Sequence, residues 1–167
     1  CDNKINLRDS MKPIALHLTH NGRPISVFAD SGESLLSLLR LKLGDQTPKY
    51  GCGQGGCGAC SVRINGELRL ACLTLAETID GANIETVAAL SAPNLDPLQE
   101  AFIENFAAQC GYCTPGMVIA ARTLLDRNPK PNRDEVIDAI SGNICRCTGY
   151  EPIIEAILAV AQKEVSA

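Results

Sequence analysis

The sequence predicts an α+β domain followed by an all-helical domain, and three observations carry that expectation. Apolar residues alternate along the first half of the chain and recur at helical spacing along the second. The change of period falls at Ser91-Ala92-Pro93-Asn94, a short polar stretch with a proline. Cysteines gather in two groups, one on each side of that change.

Ile14, Leu16 and Leu18 line one face of a first strand, Asn21-Gly22 supplies a turn, and Ile25 and Val27 answer from a second strand. His17 falls on the opposite, wetter face and His20 abuts the turn, so both are read as structural. A helix is expected over Ser34 to Leu43, with Leu35, Leu38 and Leu39 on its buried stripe and Gly44 as its stop. Val62 and Ile64, then Asn65-Gly66, then Leu68 and Leu70 make a second hairpin, and Ile84 to Val87 a last strand. Residues 12–87 are therefore taken as the α+β domain, and residues 1–11 as a polar, flexible extension that carries an unpaired Cys1. Met11 would make an ordinary start, so the preceding residues read equally as a processing remnant or a true extension.

Beyond a linker at residues 88–94, Asp96 is an N-cap, Pro97 the first helical residue, and Leu98, Phe102 and Phe106 share one face. Thr114-Pro115 opens a second helix that ends near Asn128-Pro129. Asn132 with Glu135 caps a third that stops at Gly142, and Thr148 with Glu151 caps a fourth that runs to about Gln162. Residues 95–167 thus form a four-helix domain of two helical hairpins.

A chain of 167 residues that is 46% hydrophobic can bury one moderate core or two small ones. With only 4% aromatics, cores of this kind usually need a staple, which nine cysteines can supply. A formal net charge of −4 provides no basic field for nucleic acid, and no apolar run is long enough for a membrane span.

Cys52, Cys57, Cys60 and Cys72 follow the C-x4-C-x2-C spacing of plant-type ferredoxins with a more distant fourth cysteine. A [2Fe-2S] cluster needs four converging thiolates; Gly51, Gly53, Gly55, Gly56 and Gly58 let a loop wrap it closely and turn backbone N–H groups toward sulfur. A zinc site, a disulfide pair or reduced core cysteines would leave those five glycines without a purpose.

The second group is Cys110 and Cys113 in QCGYCTPG with Cys145 and Cys147 in GNICRCTGY. Each pair sits in a turn between helices, and two such turns at one end of a bundle would join four thiolates beside positively polarised helix N-termini. The arrangement predicts a second [2Fe-2S] centre. By spacing alone it also suits zinc or thiol exchange.

In that order the three motifs closely resemble the small iron-sulfur subunit of the xanthine oxidase family of molybdenum hydroxylases, over about residues 12 to 163. Ser61, where many such subunits have Thr, is a mild departure. The resemblance implies an N-terminal β-grasp, plant-type ferredoxin-like domain, a C-terminal four-helix domain, a large molybdopterin-binding partner subunit and a medium FAD-binding one. It implies that electrons pass from molybdenum to the helical-domain cluster, then to the ferredoxin-like cluster and out to FAD or another acceptor. It also implies that Gln109 and the Cys147 region approach the pterin, with aldehydes or N-heteroaromatics and purines as substrates of the complex. Two rivals keep the fold and change the purpose: a free-standing two-cluster electron carrier and a zinc-stapled interaction module. Assembly with a molybdenum cofactor points to the cytoplasm, with the periplasm as the alternative.

Overall fold

The computed structural model describes residues 13–91 and 94–166, with side chains as far as Lys163. The expected extension at residues 1–11 with Cys1, and Ala92 and Pro93 of the expected linker, lie outside the described residues. The architecture is mixed α/β, with a five-stranded sheet and five helices.

Strands β1 (Ile14–His20) and β2 (Arg23–Ala29) form the first hairpin, with Leu16 opposite Val27 and Leu18 opposite Ile25. Strands β3 (Ser61–Ile64) and β4 (Glu67–Leu70) form the second. Strand β5 (Asn83–Glu85) runs between the hairpins, parallel to β1 and antiparallel to β3, which gives the order β2-β1-β5-β3-β4. Both Asn-Gly turns have positive φ at each residue, the geometry that matches the right-handed twist of the flanking strands.

Helix α1 (Leu35–Ser37), capped by the Ser34 hydroxyl, continues as a π turn over Leu38–Lys42, where an ordinary helix was expected. Leu43 N–H donates to the Leu38 carbonyl and Asp45 N–H to the Leu39 carbonyl. Hydrophobic spacing over so short a run does not distinguish the two helix types. The side chain of Asp45 is held by His20 and Thr86, and the wider turn delivers it there.

Helix α2 (Pro97–Glu104) has the expected Asp96 cap, closed into a capping box by Gln99. It ends earlier than expected. Ala107 N–H bonds the Phe102 carbonyl and Phe106 N–H the Ile103 carbonyl, a Schellman stop with Phe106 in the left-handed region at φ 53°. Phe106, expected on the buried face, is 82% exposed.

Helices α3 (Thr114–Arg127), α4 (Arg133–Ile140) and α5 (Glu151–Ser166) complete the chain, with the Asn132–Glu135 capping box of α4 as expected. Neither threonine caps as expected. Thr114 is the first residue of α3 and Cys113 occupies the cap position; α5 opens after Tyr150, whose carbonyl accepts from Ile153 and Ile154 N–H. The Thr148 hydroxyl, two residues ahead of that opening, accepts Tyr150 N–H at 3.2 Å and donates to the Cys145 sulfur.

Two apolar clusters result. Leu16, Leu35, Leu38, Leu39, Val62 and Ile84 center the one beneath the sheet; Phe102, Met117, Leu125, Ile140, Ile153 and Ile157 center the one among the helices. Residues 87–91 form a 3-10 turn, and its Val87 and Leu90 pack against the helical cluster. Arg63 on β3 reaches across to Asp126 on α3 while also pairing with Glu85 at 2.7 Å.

Candidate iron-sulfur centers

The first cysteine loop closes where Lys49 N–H donates to the Ala59 carbonyl at 2.9 Å. Inside it Cys52 Sγ accepts the backbone N–H of Gly56 at 3.2 Å and of Gln54 at 3.4 Å. The Gln54 donor above all, helped by Cys57, brings the Cys52 thiol down to about 7. Burial pushes Cys60 up to about 11, and its neighbors Cys72 and Cys57 add to that rise. All four predicted thiols of this group therefore share one site. A Cβ on Gly51 would sit 2.5 Å from Cys57 Sγ, so the close wrap requires glycine there. Gly53, Gly55 and Gly58 adopt positive φ, whereas Gly56 is neither crowded nor left-handed and supplies its N–H.

The second group closes in the same manner. Cys147 Sγ lies 3.7 Å from Cys110 Sγ, and that contact raises the Cys147 thiol. Burial, then the neighboring Cys145, pushes Cys113 up to about 12. Burial also acts to raise Cys145, but the Thr148 hydroxyl, donating to its sulfur at 3.1 Å, and backbone N–H groups of Thr148 and Cys147 outweigh it. The Tyr150 hydroxyl accepts from Cys145 N–H at 3.0 Å. A cavity of about 200 Å³ is lined by all four of these thiols together with Gly51 and Cys57. Cys113 stands at the N-terminus of α3, where unpaired N–H groups favor anionic sulfur. Cys110, Cys147 and Gln109 are exposed.

Eight free thiols fall in two sets whose members neighbor one another, some raising and some lowering the ionization of the next, and this all-thiol donor set suits a pair of iron-sulfur clusters whose cationic iron would compensate the thiolates. No disulfide is formed among the described cysteines.

The sequence motifs left the connection between the two sites unread. Ile144 N–H donates to the Cys57 carbonyl at 2.9 Å, and buried Asn143 donates from Nδ2 to the Gly58 carbonyl at 2.9 Å. The Tyr112 hydroxyl donates to the Tyr50 carbonyl at 2.6 Å. A Cβ on Gly58 would meet the Gly142 carbonyl at 2.5 Å and Asn143 just beyond, so the turn before Cys145 lies directly on the first loop. The one sequence signal for this was a polar Asn143 inside a motif otherwise accounted for by its cysteines.

Family models for a 2Fe-2S iron-sulfur cluster binding domain and a [2Fe-2S] binding domain match residues 18–86 and 84–158. The small subunit of nicotine 6-hydroxylase from Paenarthrobacter nicotinovorans is 49% identical over 83% of this chain and 84% of its own length. The nicotinate dehydrogenase small FeS subunit of Eubacterium barkeri is 45% identical over 88% and 94%. The crystal structure of quinoline 2-oxidoreductase from Pseudomonas putida 86 superposes with a TM-score of 0.88 at 44% identity, covering 93% of this chain and 98% of that one. With its two [2Fe-2S] modules and relatives of this kind, the chain belongs to the small iron-sulfur, electron-transfer subunits of the xanthine oxidase family of molybdenum hydroxylases.

Proposed function

We propose that this chain relays electrons from a molybdopterin site on a large partner subunit, by way of two [2Fe-2S] clusters, to FAD on a medium subunit or to another acceptor. The carrying observation is the pair of thiol tetrads with the Cys57 carbonyl bonded to Ile144 N–H, one residue before Cys145. Cys52, Cys57, Cys60 and Cys72 hold the first cluster in a β-grasp, ferredoxin-like domain. Cys110, Cys113, Cys145 and Cys147 hold the second in a four-helix domain. Each bound cluster supplies one-electron redox chemistry. The protein's own part is a covalent path from the Cys57 side chain to the Cys145 side chain interrupted by a single hydrogen bond.

The exposed side of the second tetrad, with Gln109 and Cys147, faces the pterin; the glycine loop around Cys52 faces the outgoing acceptor. An N-heteroaromatic substrate for the complex is supported by the names of the relatives at 49% and 45% identity, and an aldehyde by aldehyde oxidoreductases and oxidases at 39–44%. Assembly with a molybdenum cofactor places the complex in the cytoplasm, with the periplasm as the alternative.

Metal and acid-labile sulfide analysis of the purified chain, with EPR of its reduced form, tests the relay. Four irons, four sulfides and two distinguishable signals are expected; zinc in their place, or a single signal with two irons, overturns it. A free-standing carrier would purify alone, whereas the subunit copurifies with a molybdopterin-containing chain.

A further inference from the structure

Gly51, Gly56, Gly116 and Gly142 have backbones that any residue could adopt, so the lack of a side chain there has another reason. Gly51 makes room for Cys57 Sγ, and Gly56 offers its N–H to Cys52. A Cβ on Gly142 would meet open space. Gly116 differs from all three. It is buried in the first turn of α3, and glycine weakens a helix relative to alanine.

A Cβ on Gly116 would lie 2.4 Å from the Gly58 carbonyl oxygen and 2.9 Å from Asn143 Nδ2. Neither atom is free to give way. The Gly58 oxygen accepts from Ser61 N–H at 3.0 Å, from the Ser61 hydroxyl at 2.7 Å and from Asn143 Nδ2 at 2.9 Å, and Asn143 is buried. Three segments thus meet at one oxygen: Gly58 follows Cys57, Gly116 lies three residues after Cys113, and Asn143 lies two before Cys145. Near its other end α3 is tied to β3 by Asp126 and Arg63. A side chain at position 116 would lift the start of the helix, and Cys113 with it, while the far end stays anchored. Cys57 lines the same cavity as all four thiols of the second set, so the displacement falls between the two sites.

We propose that Gly116 is a positioning residue of the relay: its bare Cα lets α3 rest on the Gly58 carbonyl, and that contact fixes the separation of the two redox sites. Across it one electron passes at a time, oxidizing the second cluster and reducing the first. The role rests on the relay reading and adds to it the residue that holds the two sites this near.

Gly116→Ala and Gly142→Ala, each in the full iron-loaded chain, test it. Gly142→Ala adds the same methyl beside the same seam, in open space, and behaves as wild type. Gly116→Ala gains helix propensity, which alone would raise the unfolding midpoint; a fall of about 3 °C or more is expected instead, as at an overpacked site. Both variants keep the iron and sulfide content of the wild type and the g-values of singly reduced samples. In the fully reduced protein the mutual splitting of the two EPR signals weakens in Gly116→Ala alone. If that chain does not fold, the same change is made in Asn143→Ala, which clears the amide that the methyl meets, and the splitting is compared with that of Asn143→Ala by itself. Splitting unchanged by the methyl, splitting weakened equally in Gly142→Ala, a rise in the midpoint of Gly116→Ala, or iron lost from one site of the folded variant overturns the role of Gly116. Failure of both chains to fold makes the glycine a folding requirement and overturns it as well, as does a wild type whose two signals do not split each other. A wild-type chain without iron sinks the relay itself, whereas iron-loaded variants with wild-type splitting sink only the role of Gly116.

Discussion

Thr148 is the residue at which the two thiol sites differ most plainly. Both sets of ligands are all cysteine, so any difference in potential comes from hydrogen bonds to sulfur and from burial. At the first site the donors to Cys52 are backbone N–H groups, beyond the reach of side-chain substitution; at the second the Thr148 hydroxyl donates to Cys145. A donor to thiolate stabilizes the more negative, reduced state and so raises the potential. Thr148→Val keeps the shape and removes the donor. The potential of one center is expected to fall by on the order of 50 mV, since about 59 mV corresponds to a tenfold shift for a one-electron couple. Redox titration followed by EPR should show one signal moving and the other still, with Thr148→Ser restoring it; a shift of both signals would refute a local effect.

Among the elements, the β1–β2 hairpin, the segment after the π turn and the end of β5 are tied by one carboxylate. Asp45 Oδ2 accepts from the Thr86 hydroxyl at 2.7 Å and lies 3.0 Å from His20 Nε2, while Oδ1 accepts from Thr47. Burial alone would raise this carboxyl, but bonds from His20, Thr47 and Thr86 outweigh it and hold it well below the usual carboxylate range. A depressed folded pKa contributes stability above the unfolded value, about pH 4, and that contribution drains away as pH falls below it. Asp45→Asn should cost about 2 kcal/mol near neutral pH, with the gap in urea midpoint between variant and wild type narrowing from pH 4 downward. A gap independent of pH would rule the carboxylate out as its cause. The two hairpins and the starts of α2 and α4 were legible because their signals are local: Asn-Gly turns with alternation on either side, and the Asp96 and Asn132 caps. What was misread involved competition. Thr148 looked like the cap itself, yet the helix opens later, at Glu151, and the hydroxyl both accepts Tyr150 N–H and donates to sulfur three residues back. Phe106 continued the apolar stripe of α2 on paper because nothing at that position announced a stop. The thiol sets were legible from spacing, but Asn143 and Tyr112 bond partners 85 and 62 residues away, a distance no local pattern reports.

Across the whole molecule, those long-range bonds make one rigid unit of two differently built halves. Ile144 to Cys57, Asn143 to Gly58, Tyr112 to Tyr50 and Arg63 to Asp126 all cross between them. The first three lie within the cysteine loops themselves, so the separation of the two redox sites is set by the seam and not by the chain connection at residues 87–95. Asn143 is its most sheltered member, 3% exposed, and its amide also lies 3.4 Å from the Ser61 hydroxyl. Removing it leaves the Gly58 carbonyl with the donors of Ser61 alone and opens a void between the loops. Asn143→Ala should therefore destabilize the chain by about 2 kcal/mol while leaving all eight thiols in place. Its distinguishing mark is magnetic. In the fully reduced protein the splitting that each paramagnetic center imposes on the other depends steeply on their distance, so it should weaken or broaden in the variant while the signals of singly reduced samples keep their g-values. If the splitting survives unchanged and only stability falls, the seam is packing alone and the spacing of the two sites is held elsewhere.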